Sequence, residues 1–247
     1  MLKKRIIFTL TFYDGVLFRT KKFKPDYRYT KNFLDLWSID ELVIIDISKE
    51  KFSNKFLDLV KYFSLNCYVP ITVGGGIEKI SHVDEYFKYG ADKILLGYRA
   101  LENNEIIKEI SMKYGSQSII QALDCKKNFE DNYYYITKNS GQEFLSKDIF
   151  LYTKQSLDSG AGEILINNVD NDGSLLGYDI DLIDTIKKNI NAPLLALGGA
   201  GNWDHVCGLF KKTEISAACT QNIYHFTEES IISLKKYLFD NDINVRK

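Results

Sequence analysis

Eight short apolar runs, separated by amphipathic segments, extend along this chain. The runs are RIIFTL, ELVIIDI, VPITV, KILLG, SIIQAL, EILIN, PLLAL and ISAAC. Strands that are buried on both faces, as in a parallel sheet, have such continuous apolar runs. The intervening segments carry apolar residues at helical spacing, and several end in glycine (Gly90, Gly115, Gly160), a common residue after the last turn of a helix. The pattern therefore indicates alternating strands and helices throughout.

Eight strand–helix units in 247 residues predict an α/β fold, a (β/α)8 TIM barrel that forms a single domain over residues 1–247. The alternative is a doubly wound open sheet, because periodicity does not reveal whether a sheet closes. One insertion follows the fifth run, NFEDNYYYITKNSGQEF. Its YYYIT run and Asn-Ser-Gly turn predict a hairpin near residues 127–143, beside the mouth of the barrel.

An internal repeat favours a barrel made of two halves. The stretch VPITVGGGI (69–77) resembles APLLALGGA (192–200), with the proline and a glycine pair at the same spacing. RIIFTLT (5–11) likewise resembles SIIQALD (118–124), and ADKILLG (91–97) resembles ISAACTQ (215–221) in pattern. Two half-barrels of four units each would produce this repeat, although matches of this length also arise by coincidence.

Charge and composition argue against several classes of partner. The 32 basic and 33 acidic residues are well mixed, with a net charge of −1, so nucleic-acid binding has no electrostatic support. No apolar run approaches the ~18 residues of a membrane span, and the N-terminal MLKKRIIFTL is interpreted as the first strand rather than a signal peptide. The cysteines are scattered and the histidines lack ligand spacing. We therefore expect free thiols in a reducing cytoplasm, and neither a metal nor another cofactor.

Two glycine pairs follow the third and seventh runs, at the end of the barrel where TIM-barrel active sites lie. Glycine lets the backbone approach a ligand closely, and its N–H groups can bind phosphate. A tight turn is the simpler interpretation of each pair, but two pairs at symmetric positions favour a ligand with two anionic ends. An Asn-Asp-Gly loop after the sixth run is a further candidate, and also an ordinary turn. The residues concerned are Gly75, Gly76, Gly198, Gly199, Asp172 and Gly173.

Asp124 ends the fifth run, in QALDCKK, where a carboxylate beside apolar neighbours could act as a general acid or base. An aspartate that caps the following loop is an equally good interpretation. The repeat aligns Asp124 with Thr11, so a hydroxyl stands where a second carboxylate would complete an acid–base couple. Threonine does not hold a proton near neutral pH. Whether Asp14, three residues further on in a turn, points inward stays open.

Four charged residues each precede an apolar run, at the start of the first, second, fourth and sixth strands. They are Arg5, Glu41, Lys93 and Glu163. Two cations and two anions at these positions predict a ring across the bottom of the barrel. Taken alone, a salt-bridged plug that stabilises the barrel floor is the preferred interpretation.

Together these motifs resemble the cyclase subunit of imidazole glycerol phosphate synthase, the HisF family. The resemblance runs from RII…DG through DELVIIDI, TVGGGI, GADK, ALD, GAGEILI, GYD and GGAG to the terminal INVR, nearly the whole chain. It implies a barrel of two half-barrels, a phosphate-rich aminoimidazole ribotide as substrate, and a heterodimer with a HisH-like glutaminase docked on the barrel bottom. It further implies that ammonia from the glutaminase passes through the barrel to the active site.

The resemblance also assigns roles to individual residues. The charged ring becomes the gate at the ammonia entrance, which favours a gate over a plug, and Asp92 becomes a docking residue beside it. Asp124 matches one catalytic aspartate of the family, whereas Thr11 stands where the other is expected. The substrate-binding aspartate of the second strand is kept as Asp46. Arg19 stands in place of a lysine that closes over the substrate.

The phosphate-binding positions depart from the family pattern. Gly97 and Tyr98 replace an Asn-Thr pair, Gln221 and Asn222 replace an Ala-Ser pair, and Leu197 replaces a serine. The positions that are kept are Gly76, Gly199, Asp172 and Gly173. The ammonia end is therefore expected to be intact and the substrate end remodelled.

This pattern resembles HisF-like proteins of surface-polysaccharide pathways, in which a barrel and a glutaminase supply ammonia to a separate enzyme that amidates a sugar. We therefore expect a subunit of a glutamine amidotransferase that channels ammonia for amidation of a nucleotide-linked sugar in O-antigen-type polysaccharide biosynthesis, with a sugar amidotransferase as third partner. Two alternatives stay open. One is an authentic cyclase subunit of histidine biosynthesis, with Asp14 or water in place of the missing carboxylate. The other is a non-catalytic scaffold that only passes ammonia on.

Overall fold

A closed barrel of parallel strands forms the centre of the molecule. The computed structural model describes residues 3–29, 38–146, 148–221 and 231–246, and every element named here lies in these ranges. The strands are β1 (Arg5–Tyr13), β2 (Val16–Lys21), β3 (Lys24–Tyr29), β4 (Glu41–Asp46), β5 (Ile71–Gly74), β6 (Lys93–Leu96), β7 (Ile119–Lys127), β8 (Tyr134–Lys138), β9 (Glu143–Ser146), β10 (Glu163–Asn168), β11 (Leu194–Leu197) and β12 (Ala217–Thr220). The helices are α1 (Asn54–Asn66), α2 (Ile80–Lys88), α3 (Tyr98–Glu102), α4 (Glu105–Tyr114), α5 (Ile149–Asp158), α6 (Ile180–Lys187), α7 (Trp203–Lys212) and α8 (Ile231–Asp240).

The barrel strands pair in the order β1, β4, β5, β6, β7, β10, β11 and β12. Each runs parallel to its neighbour, and β12 returns to pair with β1, with Arg5 opposite Ala217 and Phe8 opposite Thr220. Each of the eight apolar runs contributes one of these strands. The predicted (β/α)8 barrel is therefore confirmed, and the open-sheet alternative is wrong.

The hairpin predicted after the fifth run is present as β8 and β9. The strand β8 pairs antiparallel with the end of β7, and β9 pairs with β8. Asn139, Ser140 and Gly141 form its turn, each with a positive φ (52°, 59° and 78°), which suits the Asn-Ser-Gly sequence. The second strand ends at Ser146 rather than near residue 143.

A second hairpin, β2 and β3, extends from the end of β1 and lacks a recognisable turn signal. Its turn is Lys22-Phe23, and both residues have a positive φ (51° and 62°). Two-residue hairpin turns with this backbone favour Asn-Gly or Gly-Gly, so a Lys-Phe turn escapes sequence analysis. With this hairpin, the first strand of each half-barrel is followed by an antiparallel pair, which fits the internal repeat.

Alternate residues of each barrel strand face the helices or the barrel interior. In β1, Ile6, Phe8 and Leu10 pack outward in the main core, whereas Ile7 packs inward. The inward side chains form a separate apolar cluster in the middle of the barrel, composed of Ile7, Val43, Leu95, Ile120, Ala122, Leu165, Leu195, Leu197, Ala217 and Cys219. This layer separates the charged bottom of the barrel from its polar top.

The four cysteines are free thiols, as their scattered positions predicted. In the ranges that the structure describes, no helix is both long and apolar enough to cross a membrane. The same ranges hold no group of three or more histidine, cysteine or acidic side chains placed to bind a metal ion.

Candidate functional site

A cavity of about 370 Å³ opens at the carboxyl ends of the barrel strands, where TIM-barrel active sites lie. Many residues singled out from the sequence line it together: Thr11, Asp46, Gly75, Gly76, Gly97, Tyr98, Asp124, Asp172, Leu197 and Gln221. Arg19 is not part of this wall, because its guanidinium pairs with Asp26 at 2.6 Å across the β2–β3 hairpin. Asn222 lies outside the described residues.

Thr11 is buried on β1 and lines the cavity, but its hydroxyl is engaged locally. It lies opposite Phe18 of β2, and its Oγ1 donates a hydrogen bond to the Phe18 carbonyl oxygen. The hydroxyl proton is therefore directed at the backbone of the hairpin. Asp14 lies in the exposed turn between β1 and β2 and is not part of the cavity wall. The wall thus has a hydroxyl, and not a carboxylate, at the end of β1.

Asp124 on β7 lines the cavity and accepts a hydrogen bond from Asn167 Nδ2 of β10 at 2.9 Å. Burial raises the pKa of Asp124 to about 6, the Asn167 amide lowers it, and the nearby Asp172 charge raises it. A carboxyl group that titrates near neutral pH can accept and release a proton, as general acid–base catalysis requires. Asn167 escaped the sequence analysis, although it is an inward-facing polar residue at the end of an apolar run.

The first glycine pair makes room for two neighbouring residues of the cavity wall. A Cβ on Gly75 would lie 2.3 Å from the Asp46 carbonyl oxygen, and one on Gly76 would lie 2.5 Å from Lys51 Cγ. Lys51 Nζ donates to that Asp46 carbonyl oxygen at 2.7 Å. The stem of Lys51 therefore crosses directly over Gly76, which only glycine permits at this distance.

The second glycine pair lines a much smaller cavity of about 20 Å³. Gly198 and Gly199 both adopt a positive φ (97° and 105°). A Cβ on Gly199 would lie 1.9 Å from the Gly177 carbonyl oxygen, so chain packing alone requires a glycine there. Gly173 is also confined by packing, since a Cβ added there would lie 2.7 Å from the Thr20 carbonyl oxygen of the β2–β3 hairpin.

The four predicted ring residues form one connected network at the opposite end of the barrel. Arg5 Nη1 lies 2.5 Å from Glu41 Oε1 and 3.1 Å from Glu163 Oε1. Lys93 Nζ lies 3.3 Å from Glu41 Oε2 and 3.4 Å from Glu163 Oε1. Each cation therefore bridges both anions. Burial lowers the pKa of Arg5, but Glu163 and Glu41 more than offset this, so its pKa is raised and the guanidinium stays charged.

Asp92 lies beside the ring, one residue before Lys93. Its carboxylate accepts a hydrogen bond from the Ile71 N–H at 2.8 Å, and its own N–H donates to the Ile71 carbonyl oxygen at 2.8 Å. These two hydrogen bonds fix the start of β5. The Asp92 side chain is also exposed, so it remains accessible to a partner.

Sequence comparison relates the whole chain to one family. A family model described as histidine biosynthesis protein matches residues 9–229. The imidazole glycerol phosphate synthase subunit HisF of Hydrogenobaculum sp. (strain Y04AAS1) is 38% identical over 253 aligned residues, which cover 100% of both chains. The HisF subunit of Streptococcus mutans serotype c is 31% identical, again over 100% of both chains. That of Staphylococcus carnosus is 34% identical over 100% of this chain and 99% of its own.

The chain belongs to the HisF family. In this HisF-family barrel, the residues singled out from the sequence lie at both ends. At the bottom, all four charged residues are present and in mutual contact. At the top, Asp124 and Thr11 line the larger cavity, and Gln221 lines both cavities.

Three cations in the wall of this HisF-family cavity were missed by sequence analysis: Lys49, Lys51 and Arg99. They follow β4 and β6, outside the strands, where the alternation of buried and exposed residues no longer indicates which side chains face a ligand. Arg99 forms an ion pair with Glu78, and both side chains are about half exposed. With Asp46 and Glu78 in the same part of the wall, the side of the cavity beside the first glycine pair carries three cations and two carboxylates.

The raised pKa of Asp124 predicts a pH-dependent gain in stability for Asp124→Asn. The folded chain holds this proton up to about pH 6, whereas an aspartate in the unfolded chain loses it near pH 3.8. Ionisation therefore costs stability as the pH rises through this window, and the cost approaches about 3 kcal/mol above it. Asparagine avoids the cost and still accepts the bond from Asn167. Urea unfolding should show the variant about 1–3 kcal/mol more stable at pH 8, with the difference shrinking toward pH 4; a difference independent of pH would contradict the shift.

Proposed function

We propose that this chain is the barrel subunit of a glutamine amidotransferase and delivers ammonia for amidation of a nucleotide-linked sugar. A HisH-like glutaminase docks on the barrel bottom, ammonia enters through the charged ring and leaves at the cavity, and a separate enzyme uses it in polysaccharide biosynthesis. The observation that favours this over imidazole-ring closure is Thr11. Its hydroxyl is bound to the Phe18 carbonyl oxygen, in a wall that lacks a carboxylate at this position.

The geometry of the ring supports an entrance that opens. Lys93 contacts the two glutamates at 3.3 and 3.4 Å, longer than the 2.5 Å contact of Arg5 with Glu41. Lysine carries its charge on a flexible stem, whereas arginine holds a carboxylate in a rigid fork. The Lys93 side chain can therefore swing aside while Arg5 still neutralises the anions. A partner docked over Asp92 and Lys93 is placed to trigger this movement.

The barrel interior supports the passage of a small neutral molecule. Between the ring and the cavity it is lined by the apolar inward cluster, which disfavours hydrated ions. The hydroxyls of Thr9 and Thr72 are buried there without a partner among the described residues. Both threonines alternate with residues of the outer core, so both face inward. An unpaired buried hydroxyl costs about 1–3 kcal/mol, and ammonia in transit can hydrogen-bond to both.

An authentic cyclase subunit is the second candidate, since the relatives are named imidazole glycerol phosphate synthase subunits. It requires a proton acceptor other than Thr11. Asp14 lies outside the cavity wall, so that role would fall to water, to a substantial movement of the β1–β2 turn, or to another carboxylate of the wall, Asp46 or Asp172.

The test is reconstitution of this chain with a HisH-like glutaminase from the same organism and the sugar-amidating enzyme. With glutamine labelled by ¹⁵N in its amide, and unlabelled ammonium in the buffer, the amidated sugar should carry mainly ¹⁵N because the ammonia does not mix with solvent. A product labelled only to the level of the buffer, or formed equally well without this chain, would refute the proposal. In the same assay, Asp124→Asn separates a barrel that uses this carboxyl from a scaffold, whose product yield would not change.

A further inference from the structure

The cavity is divided electrostatically between two arcs of the barrel. Lys49, Lys51 and Arg99 lie after β4 and β6, beside the first glycine pair. Asp124 and Asp172 lie at the end of β7 and after β10, and Asp172 also lines the small cavity of the second glycine pair. Asp46 and Glu78 also line the first arc, so it carries three cations and two carboxylates, whereas the second arc has the two carboxyl groups of Asp124 and Asp172. An anionic group is therefore favoured at the first arc over the second.

Lys51 is the cation best placed to hold an anion. Its ammonium donates to the Asp46 carbonyl oxygen at 2.7 Å and forms no salt bridge with any residue in the described ranges. Burial lowers the pKa of Lys51; the charge of Asp46 opposes this effect and that of Arg99 adds to it. Arg99 is about half exposed in its pair with Glu78, so it can turn toward a ligand. A phosphoryl group bound here would offset the positive charge around Lys51.

The arc that carries the carboxyl groups is covered by the β2–β3 hairpin. The Asp172 carboxylate accepts hydrogen bonds from Thr20 Oγ1 at 3.1 Å and from the Phe23 N–H at 2.9 Å. The Asp172 carbonyl oxygen accepts one from the Lys22 N–H at 3.2 Å. Gln221 Oε1 accepts one from the Thr20 N–H at 3.0 Å. We call these four hydrogen bonds the latch.

The latch leaves little space at the second glycine pair. The cavity there measures about 20 Å³, and a single water molecule already needs about 10–15 Å³. A phosphoryl group, with its oxygens arranged around phosphorus, does not fit. Among the described residues, those that line this small cavity include Asp172 and no cation. The described residues around this small cavity therefore provide neither the space for a phosphoryl group nor a cation to bind it.

We infer that the cavity binds a ligand with a single phosphoryl group, held by Lys51, Lys49 and Arg99 beside the first glycine pair, and that the latch excludes a second phosphoryl group. The far end of the ligand carries hydroxyl or amide donors that face Asp124. The inference rests on the proposed function, in which ammonia leaves the barrel at this cavity, and adds the class of ligand that the cavity binds. The symmetric glycine pairs favoured a ligand with two anionic ends. The inference proposes a singly phosphorylated ligand instead.

Isothermal titration calorimetry of the full chain tests this with two probes, ribose 5-phosphate and ribulose 1,5-bisphosphate, at constant ionic strength. The native chain should bind both with affinities within about threefold of each other, because the second phosphoryl group finds no site. Lys51→Met should weaken both by about tenfold or more, since it removes a charged donor. The matched control is Lys61→Met, an exposed lysine of α1, which should change neither affinity.

Opening the latch should create a preference for the bisphosphate. Gln221→Ser combined with Asp172→Asn removes the side chain that fills the site and the charge that repels an anion, so we expect the bisphosphate to bind about tenfold more tightly than the monophosphate. No such gain in a folded variant would overturn the latch. A native preference of tenfold or more for the bisphosphate, binding unaffected by Lys51→Met, or no binding of either probe would overturn the single-phosphoryl site. None of these measurements needs glutaminase or ammonia, so they succeed or fail independently of ammonia delivery.

Discussion

The native chain should form imidazole glycerol phosphate at a negligible rate when it is given the ribotide substrate of the HisF family and ammonium salt. A positioned acid–base group typically contributes ~10²–10⁴-fold to a rate. This chain has a threonine at the end of β1, and its hydroxyl proton is directed at the Phe18 carbonyl oxygen. A hydroxyl can bind a ligand but does not accept and hold a proton at neutral pH. Steady-state turnover below about 10⁻² s⁻¹ is therefore expected, with an authentic HisF enzyme as the reference.

Thr11→Asp measures how much of this deficit one residue explains. The substitution introduces a carboxylate at the end of β1, but the latch and Leu197 remain, so turnover should rise only slightly, by about tenfold at most. Thr11→Asn is the matched control, because it has the same size as aspartate and cannot take up the proton. Efficient turnover by the native protein, at ~1 s⁻¹ or more, would contradict this account, and Asp14 would then be the first residue to replace.

The second large effect is expected from Lys93→Ala in the reconstituted amidotransferase. Without Lys93, Glu41 and Glu163 retain only Arg5 as a cation, and the movable side chain of the ring is lost. Glutamine hydrolysis should continue, while the fraction of its ammonia that reaches the amidated product should fall by about tenfold. A tenfold change corresponds to about 1.4 kcal/mol. The measurement is the ratio of amidated sugar to glutamate formed.

Lys61→Ala is the matched control for this experiment. Lys61 is an exposed lysine in the middle of α1, so its removal changes the net charge equally without touching the ring or the bottom of the barrel. Thermal unfolding would verify that both variants are folded. Unchanged coupling in a folded Lys93→Ala protein would mean that the four charged residues form only a structural plug in the barrel floor.

The strands of this barrel could be predicted because each is buried on both faces and therefore reads as a continuous apolar run. The closure of the strands into a barrel could not be predicted, since the pairing of β12 with β1 joins residues at opposite ends of the chain. The two hairpins show the same contrast locally. Asn139, Ser140 and Gly141 form a turn with a recognisable sequence, whereas Lys22 and Phe23 adopt the required backbone without the usual residue types.

The residues of the candidate site could be predicted where they stand at the start or the end of an apolar run. The charged ring follows from four residues at strand starts, and Asp124 and Thr11 follow from the internal repeat. Residues placed by tertiary contacts could not be found this way. Lys51 reaches the cavity only because its stem crosses Gly76, and Arg19 stays out of it because the β2–β3 hairpin pairs it with Asp26.

Complementation of a histidine auxotroph that lacks its own cyclase subunit tests most directly whether this barrel closes the imidazole ring or only supplies ammonia. The chain would be co-expressed with its glutaminase, and an authentic HisF in the same vector would serve as the positive control. We predict that cells carrying this chain do not grow without histidine, although the two proteins are expressed and copurify. Growth at the rate of the positive control would contradict the account and identify the chain as a working cyclase subunit.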